Sequence, residues 1–158
     1  MTFRIRPYRP ADAAPLLAVF QDSVCRSAHE HYSSAQLAAW APDQTDLRAW
    51  ADRRASHPTW VAEAEGEAIG FIDLESDGHL DMLYVKAAFQ GRGVASALLE
   101  TVLSAARVQG LGRIFTEASL TAQPFFARHG FQVLGEQMVE RHGQKLVNVR
   151  MEKPLREA

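Results

Sequence analysis

A single cysteine, Cys25, stands among 158 residues. An intrachain disulfide and a cysteine-built metal cluster are therefore excluded. No apolar run approaches the roughly 18 residues of a membrane span. The first ten residues carry Arg4, Arg6 and Arg9 but no long apolar stretch, so they do not read as a signal peptide. Neither sign of charge is in excess. Seventeen Lys and Arg face nineteen Asp and Glu, for a formal charge of −2, which gives no basic footprint for nucleic acid. Internal repeats, low-complexity tracts and Ser/Gly linkers are also missing. These absences leave one globular domain over residues 1–158, expected in the cytoplasm, with no nucleic acid or membrane as partner. A chain of this length buries enough surface to need no staple.

Periodicity supplies the elements. Residues 2–7 alternate and read as a strand. Asp12 is the expected cap of a helix that carries Leu16, Leu17, Phe20 and Val24 on one face, with Cys25 beside Val24 as a small buried hydrophobe. Ser33-x-x-Gln36 is a capping box for a short helix that Pro42 stops. Thr45 is the expected cap of a third helix over 46–55. Residues 59–65, 68–75 and 79–85 then read as an antiparallel meander with turns at Gly66 and at 76–78. From Val94 the helical period takes over, with Val94, Ala97, Leu98, Val102, Ala105 and Val108 as the buried stripe. A strand over 113–118, a helix over 121–129 and a hairpin of 131–141 with 145–152 complete the chain. The plan is α+β, with a mixed, mostly antiparallel sheet of about seven strands. A strand–helix–strand crossover joins 79–85 to a parallel 113–118.

One segment carries chemistry. A strand that feeds a Gly-containing turn and then a helix is an anion seat, because the first helical N–H groups lack internal acceptors and the helix dipole adds positive character there. Gly91 and Gly93 leave room for a phosphate and allow positive φ, and Arg92 can add a charge-assisted contact. The segment is neither a P-loop nor a dinucleotide fingerprint: the Gly-Lys-Ser/Thr and third-glycine features are absent. A tight turn at a helix start is the plain structural alternative. A nucleotide-binding fold would predict affinity for ATP or NAD instead.

The context is more specific. LYVKAAFQGRGVASALL, residues 83–99, resembles the acetyl-CoA signature of the GNAT superfamily of N-acetyltransferases, whose Arg/Gln-x-x-Gly-x-Gly/Ala pattern is met by residues 90–95. ASLTAQPFFARHGF, residues 118–131, is similar to the family's second crossover helix with its Gly-Phe ending. Residues 32–42 resemble those of a bacterial subgroup with a YSxxQLxAWAP segment. The resemblance implies a GNAT-like fold and transfer of acetyl from acetyl-CoA, without a metal, to a primary amine of a small molecule or peptide. Attack would be direct, in a ternary complex of a monomer or homodimer. It also implies roles. Leu83 and Val85 would pair through their backbones with the pantetheine arm, and Val85 N–H would face the thioester oxygen. Gln90, Gly91, Arg92, Gly93, Val94, Ala95 and Ser96 would form the pyrophosphate loop. Thr121 falls where many relatives have an Asn that contacts the cofactor, and Phe125 would pack beside the arm.

Amine acetylation needs a base, because an ammonium has no lone pair, and a donor for the tetrahedral oxyanion. Glu117 is the first candidate base, with an edge hydrogen bond or a salt bridge to Arg113 or Arg128 as its structural alternative. Asp81 is the second. Tyr32 and Tyr84 are candidate donors or relays. Relatives often carry a tyrosine four residues before the Gly of Gly-Phe to protonate the thiolate. Here that position is Phe126, a departure that also opens a second reading as a non-catalytic acyl-CoA-binding sensor or partner module. His29, His31, His79 and His129 read as structural or surface residues, and Trp60 as core.

Overall fold

The computed structural model describes residues 2–155. Along the chain run β1 (Arg4–Pro7), α1 (Ala13–Ser27), α2 (Ser34–Trp40), α3 (Leu47–Ala55), β2 (Thr59–Ala64), β3 (Glu67–Asp73) and β4 (Leu83–Val85). Then follow α4 (Val94–Val108), β5 (Arg113–Ser119), α5 (Gln123–Arg128), β6 (Gln132–Arg141) and β7 (Gln144–Pro154). The order is the expected α+β plan. The seven strands form two sheets rather than one: β1-β2-β3-β4 and β5-β7-β6, each antiparallel throughout.

Helix α4 packs on one face of the first sheet through Val94, Leu98, Leu99, Val102, Leu103 and Ala106. Val108 is 89% exposed, because the helix ends two residues past Ala106, and the expected stripe stops short of it. Half-buried Trp60 packs against this same core. On the opposite face, α1 buries Leu16, Val19, Phe20 and Val24. Cys25 is exposed, contrary to expectation, since one helical residue turns it by about 100° from Val24. Two caps also differ from expectation. Asp12 accepts Arg9 N–H at 2.7 Å and pairs with Arg6, making no side-chain bond to the helix it precedes. Asp46, not Thr45, caps α3 by accepting Arg48 and Ala49 N–H at 2.9 and 3.2 Å. The box at Ser33 and Gln36 forms with both its bonds.

The largest departure lies in the segment read as a strand over 79–85. Its first part runs parallel to β5: Phe115 N–H donates to Gly78 O at 3.1 Å, and Leu80 N–H to Phe115 O at 2.8 Å. Contact is so close that a Cβ on Gly78 would lie 2.4 Å from Arg113 O. The chain then leaves β5. Asp73, at the end of β3, accepts the N–H groups of both Asp81 and Met82 on Oδ1 at 2.9 Å. Residues 83–85 pair with β3 instead. Parallel pairing with β5 is reduced to one bridge, His79 with Phe115, and the sheet splits at this point.

The pin is anchored in the core. Asp73 Oδ2 also receives Arg54 Nη1 at 3.2 Å and His57 Nε2 at 2.9 Å. Arg54 and Asp73 are buried to 1% and 0% exposure, and the Arg54 guanidinium lies 4.7 Å over the Trp50 ring. Burial raises the Asp73 carboxyl above its usual range and lowers the Arg54 guanidinium. Asp73→Ala is expected to cost about 3–5 kcal/mol, because it strands a buried cation. Urea unfolding measures this loss, and a loss under 1 kcal/mol would show that the cluster is not the anchor.

Candidate active site

Divergence of β4 from β5 opens a cleft of about 550 Å³. Its floor is a free strand edge. Lys86 N–H and Met82 C=O bond toward β3, so alternation along an antiparallel strand turns the backbone groups of Leu83 and Val85 the other way. Val85 C=O shows this direction, since it accepts Gln90 Nε2 at 3.0 Å.

The strand leads through the turn to α4. Gly93 is the N-cap, with φ +83°, and no side chain caps this helix. The first bond back into the turn is Ala97 N–H to Gly93 O at 3.0 Å. The N–H groups of Val94, Ala95 and Ser96 are therefore the orphan donors of the helix start. A Cβ built on Gly91 or Gly93 meets nothing within 4 Å, so neither glycine is demanded by protein packing. Both have positive φ. Open space and an uncapped helix end fit a bound pyrophosphate.

Side chains around the loop bond within the protein. Gln90 Nε2 also donates to Ser27 Oγ at 2.7 Å, bracing the loop against α1. Arg92 is exposed with its guanidinium 5.9 Å from the Phe89 ring, and it is the one expected site residue outside the cleft lining. Ser96 Oγ lies 3.2 Å from His129 Nε2, which brings the end of α5 to the first turn of α4. Thr121 lines the cleft with its hydroxyl 2.9 Å from His31 Nδ1, and Phe125 lines it in edge contact with Phe126. Phe126 is buried at 3% exposure and packs against Phe131.

Of the proton-handling candidates, Tyr32 is a clamp. Its hydroxyl donates to Val147 O at 2.7 Å and accepts Leu120 N–H at 2.9 Å. It ties the α1–α2 loop to β7 and to the end of β5, and burial raises its pKa. Both hydrogen-bonding directions are occupied, which leaves no free proton to relay. Tyr84 is half-buried among Phe20, Trp40 and Phe71 and lines the cleft, and burial likewise pushes its hydroxyl up. Asp81 lines the cleft but lies 3.5 Å from Arg53 and 4.0 Å from Arg54, a carboxylate already paired on its far side.

Glu117 faces the cleft from β5. Its partner is neither Arg113 nor Arg128. Arg113 pairs with Glu152 at 2.7 Å, and Glu117 Oε1 lies 2.7 Å from His79 Nε2. His79 is thus the site residue that sequence reasoning missed. The signal was present: a parallel neighbour relation between 79–85 and 113–118 places it next to Glu117. The Glu117 hydrogen bond raises His79 from 6.5 to about 9 against the opposing effect of burial, with Glu75 and Asp81 adding charge. A raised histidine stabilises the fold fully below about pH 6.5, and that stability is lost as pH rises through about 9. Urea unfolding is expected to show a loss of about 1–2 kcal/mol between pH 7 and 9.5, discounted because Glu117 is one-third exposed. Glu117→Gln is expected to flatten that slope, and an unchanged slope would place the titrating group elsewhere.

Fold and cleft together define an acetyltransferase domain. A family model described as an acetyltransferase (GNAT) domain matches residues 28–153, and the chain belongs to that family. It is 38% identical over 148 residues to the uncharacterised N-acetyltransferase YafP of Escherichia coli K12, covering 94% of this chain and 93% of the relative. A solved GCN5-related N-acetyltransferase from Rhodopseudomonas palustris is 34% identical with a TM-score of 0.94, covering 98% and 97% of the two chains. The PaiA N-acetyltransferase of Thermoplasma acidophilum, solved in complex with coenzyme A, shares the fold at 19% identity with a TM-score of 0.81, covering 98% and 99%.

Proposed function

We propose that this protein moves the acetyl group of acetyl-CoA to a primary amine by direct attack in a ternary complex. The observation that carries the reading is a shared cleft: the β4 edge at Leu83 and Val85, which no strand among the described residues covers, and the orphan N–H groups at Val94–Ser96 line the same space. An extended pantetheine arm would pair with the edge as an added strand, and the pyrophosphate would sit at the helix start. Acetyl-CoA supplies an activated acyl group and a thiolate leaving group. Val85 N–H, on that same edge, is the donor to the developing oxyanion. Glu117 takes one proton from the ammonium and passes it to solvent, and the nitrogen sheds its second proton to solvent as the tetrahedral intermediate collapses. With Tyr32 committed to backbone partners and Phe126 carrying no donor, the thiolate leaves unprotonated. This is chemically reasonable for a thiol near the cysteine range of about 8.5.

Phe126 is the observation that favours the second reading, a domain that binds acyl-CoA without turning it over. Purified protein, acetyl-CoA and a panel of aliphatic amines, aromatic amines, amino acids and short peptides separate the two when free thiol is followed. Release above the hydrolysis background with at least one amine supports transfer, and tight acetyl-CoA binding with no release on any of them supports the second reading.

A further inference from the structure

Glu117 is held from one side. Oε1 contacts His79 Nε2, and among the described residues Oε2 has no hydrogen-bond or ion-pair partner. The imidazole itself is fixed on several sides. It stacks on Phe115 with centroids 5.0 Å apart and planes at 24°. Its Nδ1 lies 3.4 Å from Glu75 Oε1, which Arg53 Nη2 holds at 2.6 Å. Its main chain is tied through Glu75 N–H to His79 O at 2.8 Å and His79 N–H to Asp77 Oδ1 at 3.1 Å. Such an arrangement exceeds what an exposed ion pair requires. It gives one carboxylate oxygen a rigid donor and leaves the other without a partner on a residue that lines the cleft.

We propose that His79 is the positioning residue of Glu117, with its Nε2–H gripping Oε1 so that Oε2 is presented to the acceptor amine. The proposal rests on Glu117 as the base. The charged groups around the imidazole are Glu75 and Asp81 from its own segment, Glu117 from β5 and Arg53 from α3. Arg113, whose guanidinium lies 4.5 Å over the Phe115 ring, is also near. With Asp77 Oδ1 on the His79 main-chain N–H, four carboxylates lie around the imidazole, and they favour the imidazolium, in keeping with its raised pKa of about 9. The imidazolium has two N–H groups, one for each flanking glutamate. The neutral ring has one for both. The grip on Glu117 therefore weakens as His79 loses its proton.

The test is steady-state thiol release from acetyl-CoA with the fastest amine of the panel, between pH 6 and 10, for wild type, His79→Leu, His79→Gln and Glu117→Gln. His79→Leu is expected to lower kcat about 10- to 100-fold, the scale of a misplaced reacting group, with KM for acetyl-CoA within about twofold. His79→Gln supplies an amide donor that does not titrate. It is expected to recover at least about a third of kcat and to lack the decline expected of wild type near pH 9. Wild-type kcat in His79→Leu, or an unaltered decline in His79→Gln, would overturn the positioning role. Should His79→Leu not fold, the pH profile of His79→Gln decides alone. Wild-type kcat in Glu117→Gln would instead overturn Glu117 as base, and the positioning role with it. No turnover with any amine would overturn the enzyme reading and this inference together.

Discussion

Gly93→Val is expected to raise the dissociation constant of acetyl-CoA at least about 100-fold by calorimetric titration, a loss of roughly 2.7 kcal/mol. Two physical effects act together. Gly93 has φ +83°, where a β-branched residue is strained by about 1–2 kcal/mol. If the backbone relaxes to relieve that strain, the N–H groups of Val94, Ala95 and Ser96 no longer converge. If it does not relax, the new side chain stands in the space a phosphate needs. Protein packing adds no penalty of its own, because a Cβ there meets nothing within 4 Å. Unfolding free energy should therefore fall only by the strain. Large loss of affinity with small loss of stability is the pattern expected of a ligand seat. Unchanged affinity would show that the anion binds elsewhere.

Glu117→Gln is expected to lower kcat by about 10²- to 10⁴-fold, the range for removal of a general base. Affinity for acetyl-CoA should stay within about twofold, because the loop and the β4 edge are untouched. Its pH dependence is the sharper measurement. Without a base the reaction depends on amine already deprotonated in solution, so the residual rate should rise about tenfold per pH unit below the amine pKa of roughly 10. A residual rate that stays flat with pH would indicate that another group, Asp81 or a water chain, still takes the proton.

Much of the architecture was legible because local rules decided it. The box at Ser33 and Gln36, the helical stripe from Val94 to Val102 and the Gly-rich turn before it all depend on neighbours within a few residues. The open helix start was readable for the same reason: uncapped donors and positive φ are properties of one short segment. The split sheet was not readable. Residues 79–85 look like one strand, and only the carboxylate of Asp73, eight and nine residues upstream of the two N–H groups it accepts, divides them between two partners. Asp73 itself reads as a residue inside the strand 68–75, with nothing local to mark it as buried beside Arg54. Tyr32 failed as a relay for a related reason, since its partners at Leu120 and Val147 lie 88 and 115 residues away. His79 was set aside when taken singly, and its meaning came from a register between segments 38 residues apart. Local pattern thus located the uncapped, Gly-rich helix start, whereas the partners of Tyr32 and Glu117 depended on long-range pairing.

The buried Asp73 cluster sits behind β4, away from the open cleft, yet it decides where β4 parts from β5. The cleft is therefore a hinged jaw whose pivot lies in the core. Agents that soften the pivot act on the spacing between Val85 on one jaw and Glu117 on the other, while both remain chemically intact. Heat and denaturant should then inactivate this protein at milder conditions than those that melt its helices. Substitutions that tighten packing around Trp50 and Arg54 should extend the working range of the site without touching any residue that meets a substrate.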